Sequence, residues 1–216
     1  HDIAAVYSQP DRKSGRGRNK TATPVKTFAT QNDLPVFTPK GLRNNVEELE
    51  RLTELKADAF VVVAYGRILP VEILQVPPMG VVNIHPSLLP KYRGPSPVVT
   101  AILEGEDTAG VTIMLLDEGM DTGPILAQST PMWLSGTEKG AALQSALFKE
   151  GASMLPNVLK GLQEGSLAPQ PQDDSKASVT RLLERSDGEI DWTSPAERID
   201  RMIRAYDPWP GTFTSW

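Results

Sequence analysis

The stretch that decides the fold reads Gly80-Val81-Val82-Asn83-Ile84-His85-Pro86-Ser87-Leu88-Leu89-Pro90. Its first half is an apolar run of strand length, and its second half is a loop bounded by prolines. Because alternate side chains of a strand point to the same face, Asn83 and His85 are expected to face one way and Ile84 the other. The strand therefore places an amide and an imidazole side by side where the loop begins.

His85 is the first candidate for a general base in this chain. The sequence has two histidines, and the other is the terminal His1. Histidine is the side chain whose ordinary pKa lies near neutrality, and an amide N–H such as that of Asn83 can stabilise a developing oxyanion. The alternative is a polar strand end whose side chains are hydrogen-bonded for structural reasons, and the pattern alone does not separate the two.

Outward from this strand, apolar runs alternate with segments of helical spacing. Strands are predicted at residues 3–7, 34–37, 59–65, 110–116 and 125–128, and helices at 24–29, 45–55, 95–103, from 70 onward and from 135 to 162. The last helix is expected to continue past Pro156, with a kink or break there as the alternative. This order predicts an α/β fold, a Rossmann-like open and mostly parallel sheet with helices on both faces. Sites in such sheets form beyond the carboxyl ends of strands, which is where His85, Tyr65-Gly66-Arg67 and Asp121 stand.

The composition excludes several kinds of site. The chain has no cysteine, so disulfides and thiolate metal sites are excluded, and with two histidines a zinc site is not expected. The apolar runs are too short for a transmembrane helix and no signal peptide is recognised, so a cytoplasmic location is expected. Gly15-Arg16-Gly17 is not a dinucleotide fingerprint, because Lys20 stands where the third glycine is required.

The net charge of the chain is −5, which argues against a wholly basic nucleic-acid binder. One segment is nevertheless strongly basic. Residues 11–20 carry five positive charges and one negative charge, and they are predicted as a loop after the first strand. Two interpretations stay open, a solvated surface loop and a contact with phosphates.

Two further segments complete the organisation. The turn that contains Asp121 is ordinary turn chemistry, and Asp121 gains interest as a partner that could orient or charge-stabilise His85. Residues 166–178 are rich in Pro, Gln, Ser and Asp, which predicts a linker, and the residues after it are interpreted as the beginning of a new unit.

The motifs resemble the 10-formyltetrahydrofolate-dependent formyltransferases. The set shared by that family is Asn83-Ile84-His85, Ser87-Leu88-Leu89-Pro90 and Asp121-Thr122-Gly123. The segment Gln9-Pro10-Asp11-Arg12 with Gly15-Arg16-Gly17 resembles the branch that acts on methionyl-tRNA. Other matches, Ala64-Tyr65-Gly66, Ile190-Asp191-Trp192 and Asp207-Pro208-Trp209-Pro210, extend the resemblance through nearly the whole chain.

The resemblance implies a reaction and a set of roles. The chain would transfer the formyl group of 10-formyltetrahydrofolate to the α-amino group of methionyl initiator tRNA, without a metal and as a monomer. Asn83 would donate to the oxyanion of the tetrahedral intermediate, His85 would assist proton transfer, and Asp121 would orient His85. The residues implied to contact folate are Ser87, Leu88, Leu89, Pro90, Tyr65, Gly66 and Arg67, and those implied to contact tRNA are Arg12, Lys13, Arg16, Arg18 and Lys20.

The resemblance also implies a domain plan. In this family a strand, a Gly-Thr-Pro loop and a helix precede the segment that starts at His1, and a β-barrel domain that binds tRNA follows. We therefore expect a chain truncated at both ends, with a catalytic domain at 1–165, a linker at 166–182 and the beginning of the barrel domain at 183–216. The alternatives are a formyltransferase for an amino-sugar nucleotide or glycinamide ribonucleotide, a formyltetrahydrofolate hydrolase, and a non-enzymatic nucleotide- or RNA-binding module.

Overall fold

The structure is a computed structural model that describes residues 1–14 and 19–215. It contains two compact units, His1–Val81 and Val82–Trp216. In the described ranges, no helix is both long enough and apolar enough to cross a membrane. The cytoplasmic location stays a prediction.

The first unit alternates short strands and helices. Its elements are β1 (Val6–Tyr7), β2 (Arg12–Ser14), β3 (Asn19–Thr21), α1 (Pro24–Gln31), β4 (Val36–Phe37), α2 (Val46–Glu54), β5 (Phe60–Val62) and α3 (Val71–Leu74). Strands β1 and β4 pair in parallel, with Val6 opposite Val36. Leu42, Leu52 and Ile73 form the buried core on which the helices pack.

The two helices that the sequence predicts at 24–29 and 45–55 are confirmed, and each begins with a side-chain cap. The Thr23 side chain accepts a hydrogen bond from the Lys26 amide at 3.1 Å at the start of α1. The Asn45 side chain does the same for the Glu48 amide at 3.2 Å at the start of α2. Each cap satisfies an amide that has no partner within the helix.

Two predictions in the first unit need correction. The basic segment was predicted as a loop, but β2 and β3 pair antiparallel with Arg12 opposite Thr21, which makes a β-hairpin. Residues 15–18 lie outside the described part of the chain. The strand at 59–65 was predicted to be covered on both faces, but Val61 and Val63 are exposed.

The second unit holds the remaining elements. They are β6 (Val81–His85), α4 (Pro97–Glu104), β7 (Thr108–Ala109), β8 (Thr112–Leu115), β9 (Ile125–Gln128), β10 (Met132–Trp133), α5 (Gly140–Gln163) and α6 (Ala196–Ala205). Strand β8 pairs antiparallel with β6 on one side and with β9 on the other. The predicted α/β class is confirmed: β1 and β4 pair in parallel in the first unit, and β6, β8 and β9 pair antiparallel in the second.

The core of the second unit confirms which way the β6 side chains point. Val82 and Ile84 are buried with Val111 and Ile113 under α5. The approach is close at Gly151, where a methyl group would lie 2.5 Å from Cγ2 of Ile84. Because neighbouring side chains of a strand alternate, Asn83 and His85 project from the opposite face of the sheet, away from α5.

Helix α5 differs from the prediction at its start, since it begins at Gly140 and not at residue 135. It continues past Pro156 to Gln163, as predicted. A proline inside a helix costs about 3 kcal/mol. Burying one aliphatic side chain is worth about 1.5–3 kcal/mol, so the burial of Leu143, Leu147 and Val158 offsets the loss.

Candidate active site

The end of β6 presents two buried polar side chains. Asn83 is 8% exposed and His85 is 5% exposed, and they lie opposite Met114 and Thr112 of β8. The Asn83 side chain makes no hydrogen bond with any residue in the described ranges. Its amide nitrogen and oxygen are not among the fully buried polar atoms that lack a partner, so the amide keeps access to solvent and is available to a bound molecule.

The two ring nitrogens of His85 have different surroundings. Nε2 lies 2.8 Å from the main-chain oxygen of Tyr92. A carbonyl oxygen can only accept, so this contact assigns the proton of the neutral ring to Nε2. Nδ1 is then the nitrogen that can take up a proton, and it lies 3.6 Å from Oδ2 of Asp121. An imidazolium formed at His85 would therefore face a carboxylate.

Asp121 is held beside His85 by the loop that follows β6. Its Oδ2 accepts a hydrogen bond from the Gly94 amide at 2.8 Å. Its backbone has a φ of 55°, in the left-handed region that aspartate tolerates better than most residues. The sequence could offer Asp121 only as a candidate partner, and the structure places its carboxylate against the imidazole.

The predicted folate loop is tied to β8 and β9 by its main chain. The Thr112 hydroxyl donates to the oxygen of Ser87 at 2.6 Å and accepts from the amide of Leu89 at 3.0 Å. Gln128 donates to the oxygen of Leu89 at 2.8 Å. The Ser87 hydroxyl donates to the Lys91 carbonyl at 2.7 Å, so it shapes the loop. Of the four predicted folate contacts here, Ser87 and Leu89 are buried, whereas Leu88 and Pro90 are half-buried.

Tyr92 joins this loop to the segment after α4. Its hydroxyl donates to Glu106 at 2.5 Å, and Lys91 contacts the same carboxylate oxygen at 2.6 Å. Burial raises the pKa of Tyr92, and its hydrogen bond to Glu106 raises it further. Burial also pushes the pKa of Glu106 up, but hydrogen bonds from Lys91 and Tyr92 outweigh it and keep that pKa below its usual value. The side chain of Tyr92 thus fixes the residue whose carbonyl orients His85.

Sequence reasoning missed a second set of contacts to this loop. Ser178 accepts from the Tyr92 amide at 2.9 Å through its hydroxyl and from the Arg93 amide at 2.8 Å through its carbonyl. The Thr180 amide donates to the oxygen of Arg93 at 2.7 Å. The segment predicted as a linker therefore runs along the loop that carries the partners of His85.

The remaining predicted residues lie in the first unit. A cavity of about 450 Å³ brings Tyr65 and Gly66, predicted for folate, together with Arg12, predicted for tRNA. Gln9 also lines this cavity, and its side chain donates to the Tyr65 oxygen at 3.0 Å and accepts from Arg67 at 2.9 Å.

The other members of the predicted tRNA set are described only in part. Lys20 is exposed on β3, and Lys13 belongs to β2. Arg16 and Arg18 lie outside the described residues. In the described ranges, no three His, Asp, Glu or Cys side chains group as metal ligands would.

Comparisons with family models and with curated proteins both match this chain to formyl transferases. Residues 1–159 match the family model described as formyl transferase, and residues 182–216 match formyl transferase, C-terminal domain. The methionyl-tRNA formyltransferase of Roseiflexus sp. (strain RS-1) is 52% identical over 216 residues, which are 100% of this chain and 66% of that protein. The chain thus spans about two thirds of the length of the curated relatives it matches.

Solved structures share the fold at low sequence identity. HypX from Aquifex aeolicus in complex with tetrahydrofolic acid has a TM-score of 0.68 at 22% identity, over 87% of this chain and 32% of that one. A sugar N-formyltransferase from Shewanella sp. has a TM-score of 0.72 at 16% identity, over 90% of this chain and 76% of that one.

Proposed function

This chain belongs to the formyl transferase family, and from that premise we propose that it transfers the formyl group of 10-formyltetrahydrofolate to the α-amino group of methionyl initiator tRNA. One observation carries the proposal. Residue Asn83 is 8% exposed, its side-chain amide makes no hydrogen bond in the described ranges, and it lies two residues from an imidazole whose Nδ1 faces Asp121. That combination offers a hydrogen-bond donor for the oxyanion and a base for the proton of the attacking amine.

The reaction needs one proton removed and one proton delivered. The methionyl amine attacks the formyl carbon, and as the new C–N bond forms, Asn83 donates to the oxyanion. His85 takes the ammonium proton at Nδ1. When the tetrahedral intermediate collapses, the bond from the formyl carbon to N10 of the folate breaks, and that proton passes to N10. A unit negative charge about 4 Å from the imidazolium is worth on the order of 4 kcal/mol at a partly screened site, which is the contribution we assign to Asp121.

The acceptor is assigned from the relatives and from the basic hairpin. The relatives of about half-identical sequence are methionyl-tRNA formyltransferases. The positive residues of the segment 11–20, which are Arg12, Lys13, Arg16, Arg18 and Lys20, would contact phosphates of the tRNA acceptor arm. The predicted folate residues, which are Ser87 to Pro90 and Tyr65 to Arg67, would line the donor site.

The proposal includes the domain plan. We assign residues 1–165 to the catalytic domain, 166–182 to a linker and 183–216 to the beginning of a tRNA-binding domain. The limits of the two family matches, residue 159 and residue 182, support this division.

The direct test is formyl transfer from 10-formyltetrahydrofolate to methionyl initiator tRNA by the full-length protein. We expect formylmethionyl-tRNA, and we expect His85→Ala and Asn83→Ala each to lower kcat by about 10²-fold or more. His1→Ala is the matched control, because His1 is the other histidine and is exposed. Folate binding without transfer would overturn the assignment.

The same assay separates the alternatives. Formate release in the absence of any acceptor would identify a hydrolase. Formylation of an amino-sugar nucleotide or of glycinamide ribonucleotide, with methionyl-tRNA inert, would identify another acceptor. Retention of full activity by both variants would assign the chemistry to groups other than Asn83 and His85.

A further inference from the structure

The segment of residues 170–180, although rich in the residues of a linker, is fixed to the sheet and to the loop after β6. At its start, Gln170 and Ile125 of β9 exchange two main-chain hydrogen bonds of 2.8 Å each. At its end, Ser178 and Thr180 bond to the main chain of residues 90–93. Gln172 lies between these two attachments, so its position is set from both sides.

Both the nitrogen and the oxygen of the Gln172 side-chain amide make hydrogen bonds. Its Nε2 donates to the main-chain oxygens of Asp121 at 2.8 Å and Gly123 at 2.7 Å. Its Oε1 accepts from Nε of Arg93 at 3.0 Å and from the terminal Nη2 of Arg93 at 2.9 Å. Arg93 is 7% exposed and also bonds Asp174 at 2.7 Å. One amide therefore connects the turn of Asp121 to a buried arginine.

These two attachments lie on opposite sides of His85. The turn of Asp121 supplies the carboxylate that faces Nδ1, and Tyr92, next to Arg93, supplies the carbonyl that accepts from Nε2. A shift of the Asp121 turn or of Tyr92 would change the contact of one ring nitrogen of His85. The Gln172 side chain links the two, since it bonds the main chain of the turn and the guanidinium of Arg93.

The turn has little else to hold it. Residues 117–120 are exposed, and the side chain of Asp117 bonds only within the turn, to Gly119 and Thr122. Asp121 itself has a left-handed backbone, which costs about 1–2 kcal/mol for a residue other than glycine. Outside the turn, its polar contacts are Gly94, His85 and Gln172, so its carboxylate depends on Gln172 for the place of its main chain.

We propose that Gln172 is a positioning residue for the formyl transfer proposed above, because its amide ties the main chain of the Asp121 turn to the buried side chain of Arg93, the residue after Tyr92. The inference rests on the proposed function, and it assigns a catalytic consequence to a segment outside the motifs of the site. Since a displacement of about 1 Å at a reacting group can cost about 10²-fold in rate, loss of this amide would lower kcat.

Two substitutions distinguish the hydrogen bonds made by Nε2 of Gln172 from those made by Oε1. Gln172→Glu keeps an oxygen for Arg93 and adds a charge attraction to it, but it removes both donors to the turn. Gln172→Ala removes all four hydrogen bonds. The matched controls are Gln170→Glu and Gln170→Ala, because the side chain of Gln170 is exposed and bonds only the nearby oxygen of Ala168.

The test measures kcat, both KM values and the pH profile of formyl transfer by the full-length protein. We expect Gln172→Glu to lower kcat by roughly 10- to 100-fold, with the KM for the folate donor changed less than about 2-fold. The pH profile should change as it does in Asp121→Asn, since both changes take the carboxylate away from the imidazole. The Gln170 variants should match the wild type.

A double-mutant cycle decides whether Gln172 acts through Asp121. In the Asp121→Asn background, Gln172→Glu should change kcat by less than about 3-fold, because the group it positions is already gone. A full additional loss, or equal kinetics for the Gln172 and Gln170 variants beside an active wild type, would overturn the positioning role. An inactive wild type would instead refute the proposed function.

Discussion

The Nε2 atom of His85 lies 2.8 Å from the main-chain oxygen of Tyr92. This contact, and not the aspartate, assigns the tautomer of the neutral imidazole, because a carbonyl accepts only from a protonated nitrogen. Tyr92 supplies its carbonyl from a left-handed backbone with a φ of 63°, which loop hydrogen bonds and the Glu106 contact maintain. The carboxylate of Asp121 lies 3.6 Å from the other ring nitrogen, Nδ1, and under the proposed function it would stabilise the positive charge that forms there.

Removing that carboxylate charge should slow the reaction without unfolding the protein. Asp121→Asn keeps an oxygen that can accept from Gly94, so the turn should stay in place. We expect kcat to fall by about 10²-fold or more, with the melting temperature within about 3 °C of the wild type. Glu118→Gln removes the same charge from the exposed part of the same turn and should leave kcat unchanged. Equal rates for the two variants would contradict the role given to Asp121.

Gly94 should tolerate no side chain. Its φ is 101°, and a methyl group there would lie 2.6 Å from the main-chain oxygen of Thr180. Gly94→Ala therefore combines a disfavoured backbone with a clash that no rotamer change relieves. The matched control is Gly165→Ala, where φ is 65° and nothing lies within 4 Å, so only the backbone cost of about 1–2 kcal/mol applies.

We expect Gly94→Ala to lower the melting temperature by at least about 3 °C more than Gly165→Ala, and to lower kcat as well. The reason is that the Gly94 amide holds the carboxylate of Asp121. Thermal unfolding and steady-state rates of both variants check this. Similar values for the two alanine variants would show that the loop can move away from Thr180.

The parts of the site that were predictable depend on local periodicity. The alternation in β6 is a property of any strand, so the opposite directions of Ile84 and His85 followed from sequence alone. The caps at Thr23 and Asn45 are also local contacts, since each side chain bonds an amide three residues away. The strand-end rule placed Asp121 at the same sheet edge as His85, and the family resemblance gave it the role of orienting His85.

The parts that were missed depend on contacts between distant segments. Thr112, Gln172 and Ser178 are polar residues with no periodic signal, and their partners are main-chain atoms 23 to 86 residues away. Composition indicated a linker at 166–178 because such segments build no apolar core, but side-chain hydrogen bonds can fix a segment without one.

The predicted start of α5 was wrong for a different reason, since Ser135-Gly136-Thr137-Glu138 has the sequence of a capping box, which predicts a helix start. In a capping box the serine hydroxyl accepts from the amide three residues on, whereas Ser135 accepts from the Thr137 amide at 3.3 Å and donates to Glu138 at 2.7 Å. The same four residues therefore close a turn of their own, and α5 begins at Gly140. Residue identity did not determine which atom donates.

The basic hairpin should act through phosphate contacts. Arg16 lies outside the described residues, so this prediction rests on the charge of the segment. We expect Arg16→Ala to raise the KM for methionyl-tRNA and to reduce the slope of log KM against log salt by about 0.9, with folate binding unchanged. Arg43→Ala, an exposed arginine elsewhere in the first unit, is the control. An unchanged salt slope would assign Arg16 a role other than phosphate contact.

The turn before α5 should give the protein an acid-sensitive contribution to stability. The carboxylate of Glu138 accepts from the Ser135 amide at 2.6 Å, the Ser135 hydroxyl at 2.7 Å and the Gly136 amide at 3.1 Å. Burial raises the pKa of Glu138, but these hydrogen bonds outweigh it and lower the pKa from 4.5 to about 2. A carboxyl group whose pKa is lowered by folding stabilises the fold above its unfolded pKa.

Glu138→Gln should therefore lower the melting temperature at pH 6 by about 2–4 °C, the shift that about 1 kcal/mol produces in a chain of this size. The difference from the wild type should shrink as the pH falls from 4.5 towards 2, because the wild-type carboxylate becomes protonated over that range. Calorimetry at several pH values checks this, with Glu150→Gln on the exposed face of α5 as the control. A difference that stays constant down to the acid limit of folding would show that the hydrogen bonds of this turn do not depend on the charge.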